Sequence, residues 1–254
     1  MAGRLYEMLY PAFGQGIGLL LMNQIKSIKG SLITFGGLDG AGKSTQIALL
    51  TDYLVKCGRK PVYIWTRGGY TAVLQGLKTL SRRILQRRLP PSGTSPQRSQ
   101  AFSKWWVRRL WLSLGLLDLL WVYGVQIRWH RYRGRIVLCD RYLWDTAIDF
   151  RLNFPQEKLD RYWLWRLLAR ISPQPDASFL MLLSVEESVL RSGIKGEPFP
   201  DPPEVLGQRL ACYQELIPRV PFRVLDGSQP IATLFNQILI DLAPVHRDQR
   251  TVWG

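Results

Sequence analysis

A short stretch beginning at Gly37 carries the residue types and spacing of a phosphate-binding loop. Residues 37–44 read GLDGAGKS and match the pattern GxxxxGK[ST], with an apolar run before them and a helical pattern after them. In such a loop the glycines let backbone N–H groups surround phosphate oxygens at the positive end of the next helix. Lys43 would reach the outer phosphates, and the Ser44 hydroxyl could bind magnesium. The residues predicted to bind the triphosphate are Gly37, Leu38, Asp39, Gly40, Ala41, Gly42, Lys43, Ser44 and Thr45.

Asp39 is a carboxylate inside this loop. Because its negative charge repels phosphate, we expect it to face away from the triphosphate and to accept a hydrogen bond from another group, such as a hydroxyl. The alternative is an aspartate that only shapes the turn. The loop itself predicts triphosphate binding and leaves the reaction open.

The elements that must position the loop follow from the alternation of apolar runs and helical patterns after Ser31, which is typical of βαβ units. Strands are predicted over 31–36, 61–65, 135–139, 177–183 and 222–225. Helices are predicted over 44–57, 71–88, 101–133, 158–171, 204–217 and 231–242. The pattern predicts an α/β P-loop NTPase fold: a five-stranded parallel sheet with helices on both faces and ligands at the carboxyl ends of the strands.

The composition is that of a globular, basic protein. Of 254 residues, 46% are hydrophobic and 21% charged, which excludes wholesale disorder. Thirty-four Lys and Arg against 19 Asp and Glu give a net charge of +15. This excess suits a nucleotide, a nucleic acid or an anionic membrane face, or it serves solubility alone. Three scattered cysteines and two histidines predict neither a disulfide framework nor a zinc site, which favours the reducing cytoplasm.

Residues 110–127 are strongly apolar between arginine-rich flanks. Three interpretations are open: a membrane span, a helix in peripheral contact with a membrane, and a buried core helix. Because Asp118 lies near the middle, where a carboxylate costs about 3 kcal/mol in a bilayer, we expect a core helix. Arginines and aromatic residues around this segment could bind nucleic acid, but arginine-rich helix ends on a basic enzyme are commoner.

Three motifs together resemble those of thymidylate kinases. Residues 35–46, FGGLDGAGKSTQ, are similar to the FEGxDGAGKSTQ run of that family. Residues 140–142, DRY, resemble its DRY or DRH motif at the end of the third strand, and residues 66–69, TRGG, a shortened TREPGG turn. Later segments at 183–191, 209–213 and 224–226 follow the family's closing order. The resemblance spans residues 32–242, with 1–30 as an N-terminal extension and 243–254 as a C-terminal tail.

The resemblance implies a role for each matching residue. Lys43 and Ser44 would hold the phosphates of ATP and Mg²⁺, and Asp140 would support the metal through water. Arg141 and Arg67 would clamp the acceptor phosphate, since a planar guanidinium fits phosphate well. Asp39 would accept a hydrogen bond from the sugar hydroxyl of the acceptor. The expected catalytic residues are Lys43, Arg141 and Arg191; those expected to bind the acceptor are Asp39, Arg67, Arg141, Tyr142, Asp145 and Asp149; those expected to hold the metal are Ser44 and Asp140.

The chain departs from the family pattern mainly where the base is read. Gly36 replaces the glutamate of FEG, and the Glu-Pro of TREPGG is absent. Aligned on DRY, Leu119 stands where the family has a base-reading arginine, and the stacking phenylalanine falls near Gly115. In DRYxxSxxAYQ, Asp145 replaces the serine and Asp149 the glutamine. These losses disfavour thymine selectivity, unless a shift of the long helix brings Trp111, Trp121 or Tyr123 into the stacking place.

A candidate lid covers residues 191–203. Its GIKGEPFPDPP segment at 193–203 holds four prolines and two glycines, which predicts no regular structure there. It could be a mobile lid or an inert connector. In the family that the chain resembles, bacterial members without an arginine in the phosphate loop usually supply arginines from the lid. Ala41 supplies none here, so the resemblance implies Arg191 as the candidate for a transition-state contact, with Lys195 on the same helical face. The alternative is a solvated pair at a helix end.

Taken together, these features predict a Mg²⁺- and ATP-dependent phosphotransferase that resembles thymidylate kinase and acts on a nucleoside monophosphate, with dTMP as the first candidate. Two alternatives stay open: a kinase of the same fold acting on a nucleoside, a sugar or another small alcohol, and a basic P-loop NTPase switch on a membrane or nucleic acid. Expected partners are the small-molecule acceptor, a second copy of the chain in a homodimer and an anionic membrane surface; nucleic acid is not expected.

Overall fold

The computed structural model describes residues 29–66, 105–195 and 201–242. Within them, five strands form one all-parallel sheet in the order β2-β3-β1-β4-β5. This confirms the predicted α/β P-loop fold. The strands are β1 (Leu32–Gly37), β2 (Val62–Trp65), β3 (Val137–Asp140), β4 (Ala177–Leu182) and β5 (Arg223–Asp226). The described helices are α1 (Lys43–Lys56), α2 (Trp105–Tyr132), α3 (Leu143–Asn153), α4 (Trp163–Ile171), α5 (Val185–Lys195), α6 (Pro203–Leu216) and α7 (Ile231–Leu242).

Strand β1 lies at the centre of the sheet, and all six of its residues are buried. Successive side chains of a strand point to opposite faces, so Leu32 joins one core while Ile33 and Phe35 join the other. The first core packs against α2, α3 and α4, and the second against α1 and α7. Helices therefore cover both faces, and the polar residues that follow β1 and β3 come out at one edge of the sheet.

One of the described helices, α3, is absent from the sequence-based prediction, and α5 is predicted only as the helical face that carries Arg191 and Lys195, without a range. In α3 the carboxylates of Asp145 and Asp149 are buried, which hides the alternation of apolar and polar faces that marks a helix. The prediction of irregular structure from residue 193 is wrong for residues 193–195, because α5 continues to Lys195. The predicted helix over 71–88, the lid residues 196–200, residues 1–28 and the tail 243–254 lie outside the described residues.

Helix α2 is long and apolar enough, by length and composition, to cross a membrane. It has 28 residues and contains a window with a mean hydropathy of 1.5. Its inner face packs into the core through Leu112, Leu116, Leu119 and Tyr123, and Asp118 is buried as well. The packing of this face agrees with the predicted core helix, while large side chains outside this face are exposed, among them Trp106, Leu110, Leu117 and Trp121.

Candidate active site

The phosphate loop runs from the end of β1 to the start of α1. Gly37 has φ +125°, and a Cβ built there would lie 1.9 Å from the carbonyl oxygen of Met181. Only glycine fits this close approach between the loop and β4. The backbone N–H of Leu38 donates to the same oxygen at 3.3 Å, which ties the loop to the sheet.

Lys43 is buried at the start of α1 and points back along the loop. Its Nζ donates to the carbonyl oxygens of Leu38 at 2.6 Å and Gly37 at 3.1 Å. Burial, together with the nearby positive charge of Arg141, lowers the pKa of Lys43 to about 8, against the opposing effect of Asp39 and Asp140. The Lys43 ammonium is thus held close to the loop and to other charged side chains. An anion bound there would raise the pKa of Lys43 back toward its usual value. Ser44, the next residue, is exposed at the helix N-terminus.

The lowered pKa of Lys43 predicts that nucleotide binding weakens in mild alkali. Above pH 8 the free loop loses the charge of Lys43, and binding a phosphate must restore that proton. We expect the Kd for MgATP to rise about tenfold between pH 7 and pH 9. Isothermal titration calorimetry across this range measures it. The Lys43→Arg variant, which keeps its charge, serves as the control and should change far less; an equally flat profile in the unmodified protein would contradict the expectation.

Arg141 follows β3 in a left-handed backbone conformation with φ +68°. This conformation costs a non-glycine residue roughly 1–3 kcal/mol, and such costs cluster at functional sites. Its N–H donates to the carbonyl oxygen of Phe35 at 2.8 Å, and its own carbonyl accepts from Thr66 Oγ1 at 2.7 Å. These contacts fix the turn and direct the guanidinium toward the phosphate loop.

The guanidinium of Arg141 is buried and forms an ion pair with Asp39. Its second nitrogen, Nη1, lies 3.8 Å from Asp145 Oδ1 and makes no hydrogen bond to any residue that the structure describes. Asp39 and Arg141, both predicted to bind the acceptor, are therefore in contact although 102 residues separate them. Arg67, their predicted companion, lies outside the described residues.

Asp140 ends β3 and is buried. Its Oδ2 accepts a hydrogen bond from the Tyr63 hydroxyl at 3.2 Å, whereas its Oδ1 has no hydrogen-bond partner within residues 29–66, 105–195 and 201–242. Burial raises the pKa of Asp140, which the charges of Lys43 and Arg141 partly offset. Among the described residues there is no cluster of three or more His, Cys, Asp or Glu for a metal. Mg²⁺ needs none, since it commonly uses one or two protein oxygens together with phosphates and water. A spare carboxylate oxygen and the Ser44 hydroxyl fit that donor set.

The carboxylate of Asp145 lies under the loop. It accepts hydrogen bonds from the Tyr213 hydroxyl at 2.5 Å, the Gly37 N–H at 3.3 Å and the Tyr142 N–H at 3.1 Å. Asp145 was expected to bind the acceptor, and the structure places it against the protein's own groups. The Tyr142 side chain is also directed inward, since its hydroxyl donates to the carbonyl oxygen of Pro173 at 2.8 Å.

Asp149, one turn further along α3, forms a buried ion pair with Arg209 at 2.5 Å. Arg209 also contacts Asp201 at 3.1 Å, and only 2% of its surface is exposed. The sequence-based site misses both Arg209 and Tyr213. Their four-residue spacing places them on one face of α6, and a charged residue on the apolar face of a helix is the signal that could have revealed Arg209.

Arg191 lies beside the phosphate loop on α5. A Cβ built at Gly40 would lie 3.1 Å from the Arg191 Cβ, so the two backbones pack closely. The guanidinium contacts Glu187 at 2.8 Å and donates to the carbonyl oxygen of Gly227 at 2.8 Å. Helix α5 is fastened to the loop by Ser188 Oγ, which donates to the carbonyl oxygen of Asp39 at 2.6 Å.

The residues considered for base recognition lie on different sides of α2. Leu119 is buried in the core, and Trp121 is half-exposed on the outer face. Tyr123 points toward the strand ends, where its hydroxyl contacts Thr66 Oγ1 at 3.0 Å and Thr146 Oγ1 at 3.1 Å. Of the aromatic residues named for this role, Tyr123 is therefore close to the site and Trp121 is not.

Comparison with known proteins points to one family. No protein-family model matches the chain. A thymidylate kinase of Desulfotalea psychrophila is 31% identical over 163 residues, covering 62% of this chain and 66% of that protein. One of an Exiguobacterium species is 28% identical over 217 residues, covering 84% and 93%, and one of Rickettsia typhi is 26% identical over 202 residues, covering 78% and 89%.

These matches extend over most of the chain and agree with the phosphate loop and the parallel sheet. The chain belongs to the thymidylate kinase-like family of ATP-dependent P-loop kinases.

Proposed function

We propose that this protein transfers the γ-phosphoryl group of MgATP to a nucleoside monophosphate, with dTMP as the first acceptor to test. The observation that carries the proposal is the buried contact between Arg141 and Asp39 directly beside the Lys43 loop. A cation that suits a second phosphate and a carboxylate that suits a hydroxyl thus adjoin the donor site. A hydrolytic switch would need neither group.

On the donor side, the loop amides and Lys43 bind the triphosphate, and Lys43 offsets charge on the phosphoryl group in transit. Ser44 and the spare oxygen of Asp140, the latter through water, would hold Mg²⁺, which supplies further charge neutralisation on the phosphates when bound. Phosphoryl transfer needs little covalent help from the protein, so placing the two phosphates in line accounts for most of the catalysis.

On the acceptor side, Arg141 would bind the monophosphate through its guanidinium, and Asp39 would accept a hydrogen bond from the sugar hydroxyl. Arg67 is proposed to complete the clamp. Arg191 is proposed to contact the transition state, which requires its guanidinium to leave Glu187 and Gly227 as the nucleotide binds.

We expect only a weak preference for dTMP over other pyrimidine monophosphates, within about tenfold. Leu119 offers no polar group, Asp145 is occupied by Tyr213, and Asp149 is paired with Arg209. Leu119 and Asp145 therefore present no free hydrogen-bonding group to a base, and Asp149 keeps only Oδ2, which is buried and has no hydrogen-bond partner among the described residues. Initial rates of ADP formation with dTMP, dUMP, dCMP, UMP and CMP measure the preference.

The same assay tests the proposal as a whole when nucleosides, sugars and a reaction without acceptor are included. ADP formation that depends on a nucleoside monophosphate supports it. ADP formation that depends on a nucleoside or a sugar would show that the acceptor is not a nucleoside monophosphate. ADP formation without any acceptor would favour the NTPase switch. A preference for dTMP above about a thousandfold would show that another residue, with Tyr123 the nearest candidate, rebuilds a thymine site.

A cytoplasmic location and two macromolecular partners belong to the proposal. All three cysteines are free thiols, which supports a reducing compartment. The exposed apolar side chains of α2, next to the exposed Arg109, support contact with a second copy of the chain or with an anionic membrane surface. Sedimentation of the full chain with and without anionic vesicles distinguishes the two.

A further inference from the structure

One buried carboxylate, that of Asp145, lies where β1 becomes the phosphate loop. It accepts hydrogen bonds from the first loop N–H, that of Gly37, and from the Tyr213 hydroxyl on α6. It also caps α3 through the N–H of Tyr142 and lies 3.8 Å from the Arg141 guanidinium. A single side chain thus connects the donor loop, the acceptor arginine and two helices.

Gly36 provides the space that this carboxylate occupies. A Cβ built at Gly36 would lie 2.9 Å from Asp145 Oδ2 and 3.0 Å from Oδ1. The φ of Gly36 is not in the left-handed region, so the backbone there would accept any residue. The obstacle to a side chain at position 36 is therefore the Asp145 carboxylate itself.

Two departures from the motifs quoted above are consequently neighbours in space. The sequence has glycine where FEG has glutamate, and aspartate where DRYxxS has serine. We infer that these are one reciprocal exchange, in which the carboxylate beneath the loop comes from α3 instead of β1. Asp145 is then a positioning residue, which holds the Gly37 N–H and the Arg141 guanidinium in place. Its carboxylate takes the place of the side chain that glycine lacks at position 36. The activity part of this inference rests on the proposed kinase function.

The test is a double-mutant cycle on the full chain. Gly36→Glu places a second carboxylate against the first. Asp145→Ser removes the carboxylate that accepts from the Tyr213 hydroxyl and leaves the Gly37 N–H with the Tyr213 hydroxyl oxygen at 3.3 Å as its remaining acceptor. Each single variant should lower the Tm by at least about 5 °C and kcat by about tenfold or more. Combining them restores one carboxylate and one small residue, so the double variant should exceed the better single variant in both Tm and kcat.

Two further variants separate positioning from general stability. Asp145→Asn keeps the volume but replaces one acceptor oxygen with a donor; it should lower kcat about tenfold while the KM for ATP stays within about threefold. Asp160→Ser makes the serine change at an exposed carboxylate and should match the unmodified protein. Losses that simply add in the double variant, or an Asp145→Asn variant with normal kcat, would overturn the inference.

The cycle also remains informative if the kinase proposal fails. The Tm values do not depend on the acceptor, and the loop contact predicts their recovery in the double variant. Recovery of the Tm without any phosphoryl transfer would refute the proposed function and keep the structural exchange. Phosphoryl transfer by the unmodified protein, without recovery in the double variant, would keep the proposed function and refute the structural exchange.

Discussion

Replacing Lys43 with alanine should lower kcat at least about 100-fold while leaving the fold intact. Its Nζ is the cation that the loop holds closest to the predicted phosphates, since it already contacts the carbonyl oxygens of Gly37 and Leu38. In a site that excludes water, removing this charge leaves the transferring phosphoryl group less neutralised. Steady-state kinetics with saturating MgATP and the best acceptor measure the effect.

Lys56 supplies a matched control, because it is an exposed lysine at the other end of the same helix. The Lys56→Ala variant should keep kcat within about twofold, since exposed surface changes have small effects. Circular dichroism and the Tm should show that both variants are folded. Near-normal turnover by Lys43→Ala would refute the phosphate-loop mechanism.

Replacing Asp149 with alanine should lower the free energy of unfolding by about 3 kcal/mol or more. Asp149 and Arg209 form a buried ion pair, and the substitution leaves the Arg209 guanidinium with Asp201 as its one remaining carboxylate contact among the described residues. An incompletely compensated buried charge is costly because it has lost its hydration. Urea denaturation followed by circular dichroism measures the loss, and acceptor turnover should fall with it, since α3 also carries Asp145.

The double variant Asp149→Ala with Arg209→Met distinguishes lost charge compensation from lost packing. With no charge left to bury, it should be more stable than Asp149→Ala alone. A single Asp149→Ala variant within about 1 kcal/mol of the unmodified protein would contradict the expected dependence on this pair. It would show that Asp201 and water already compensate Arg209.

Features that depend on residues close together in the chain could be predicted before the fold was known. The phosphate loop could be predicted because its glycines, lysine and serine lie within a few residues of each other and act together. The five strands could be predicted because the strands of a parallel sheet are buried and therefore consist of short apolar runs. Their predicted ends differ from the observed ones by at most two residues. Their boundaries shift because hydrogen bonds to neighbouring strands, not the apolar run alone, decide where each strand begins and ends.

The tertiary structure alone decided which polar side chains meet. Asp39 pairs with Arg141 across 102 residues, Asp145 with Tyr213 across 68, and Asp149 with Arg209 across 60. A carboxylate in a sequence looks the same whether it faces an acceptor or an arginine of its own chain. The cost of burying a charge is offset only by a partner that the fold brings near. The roles of Asp145 and Asp149 therefore depend on the packing of α3 against α6, which the sequence does not show.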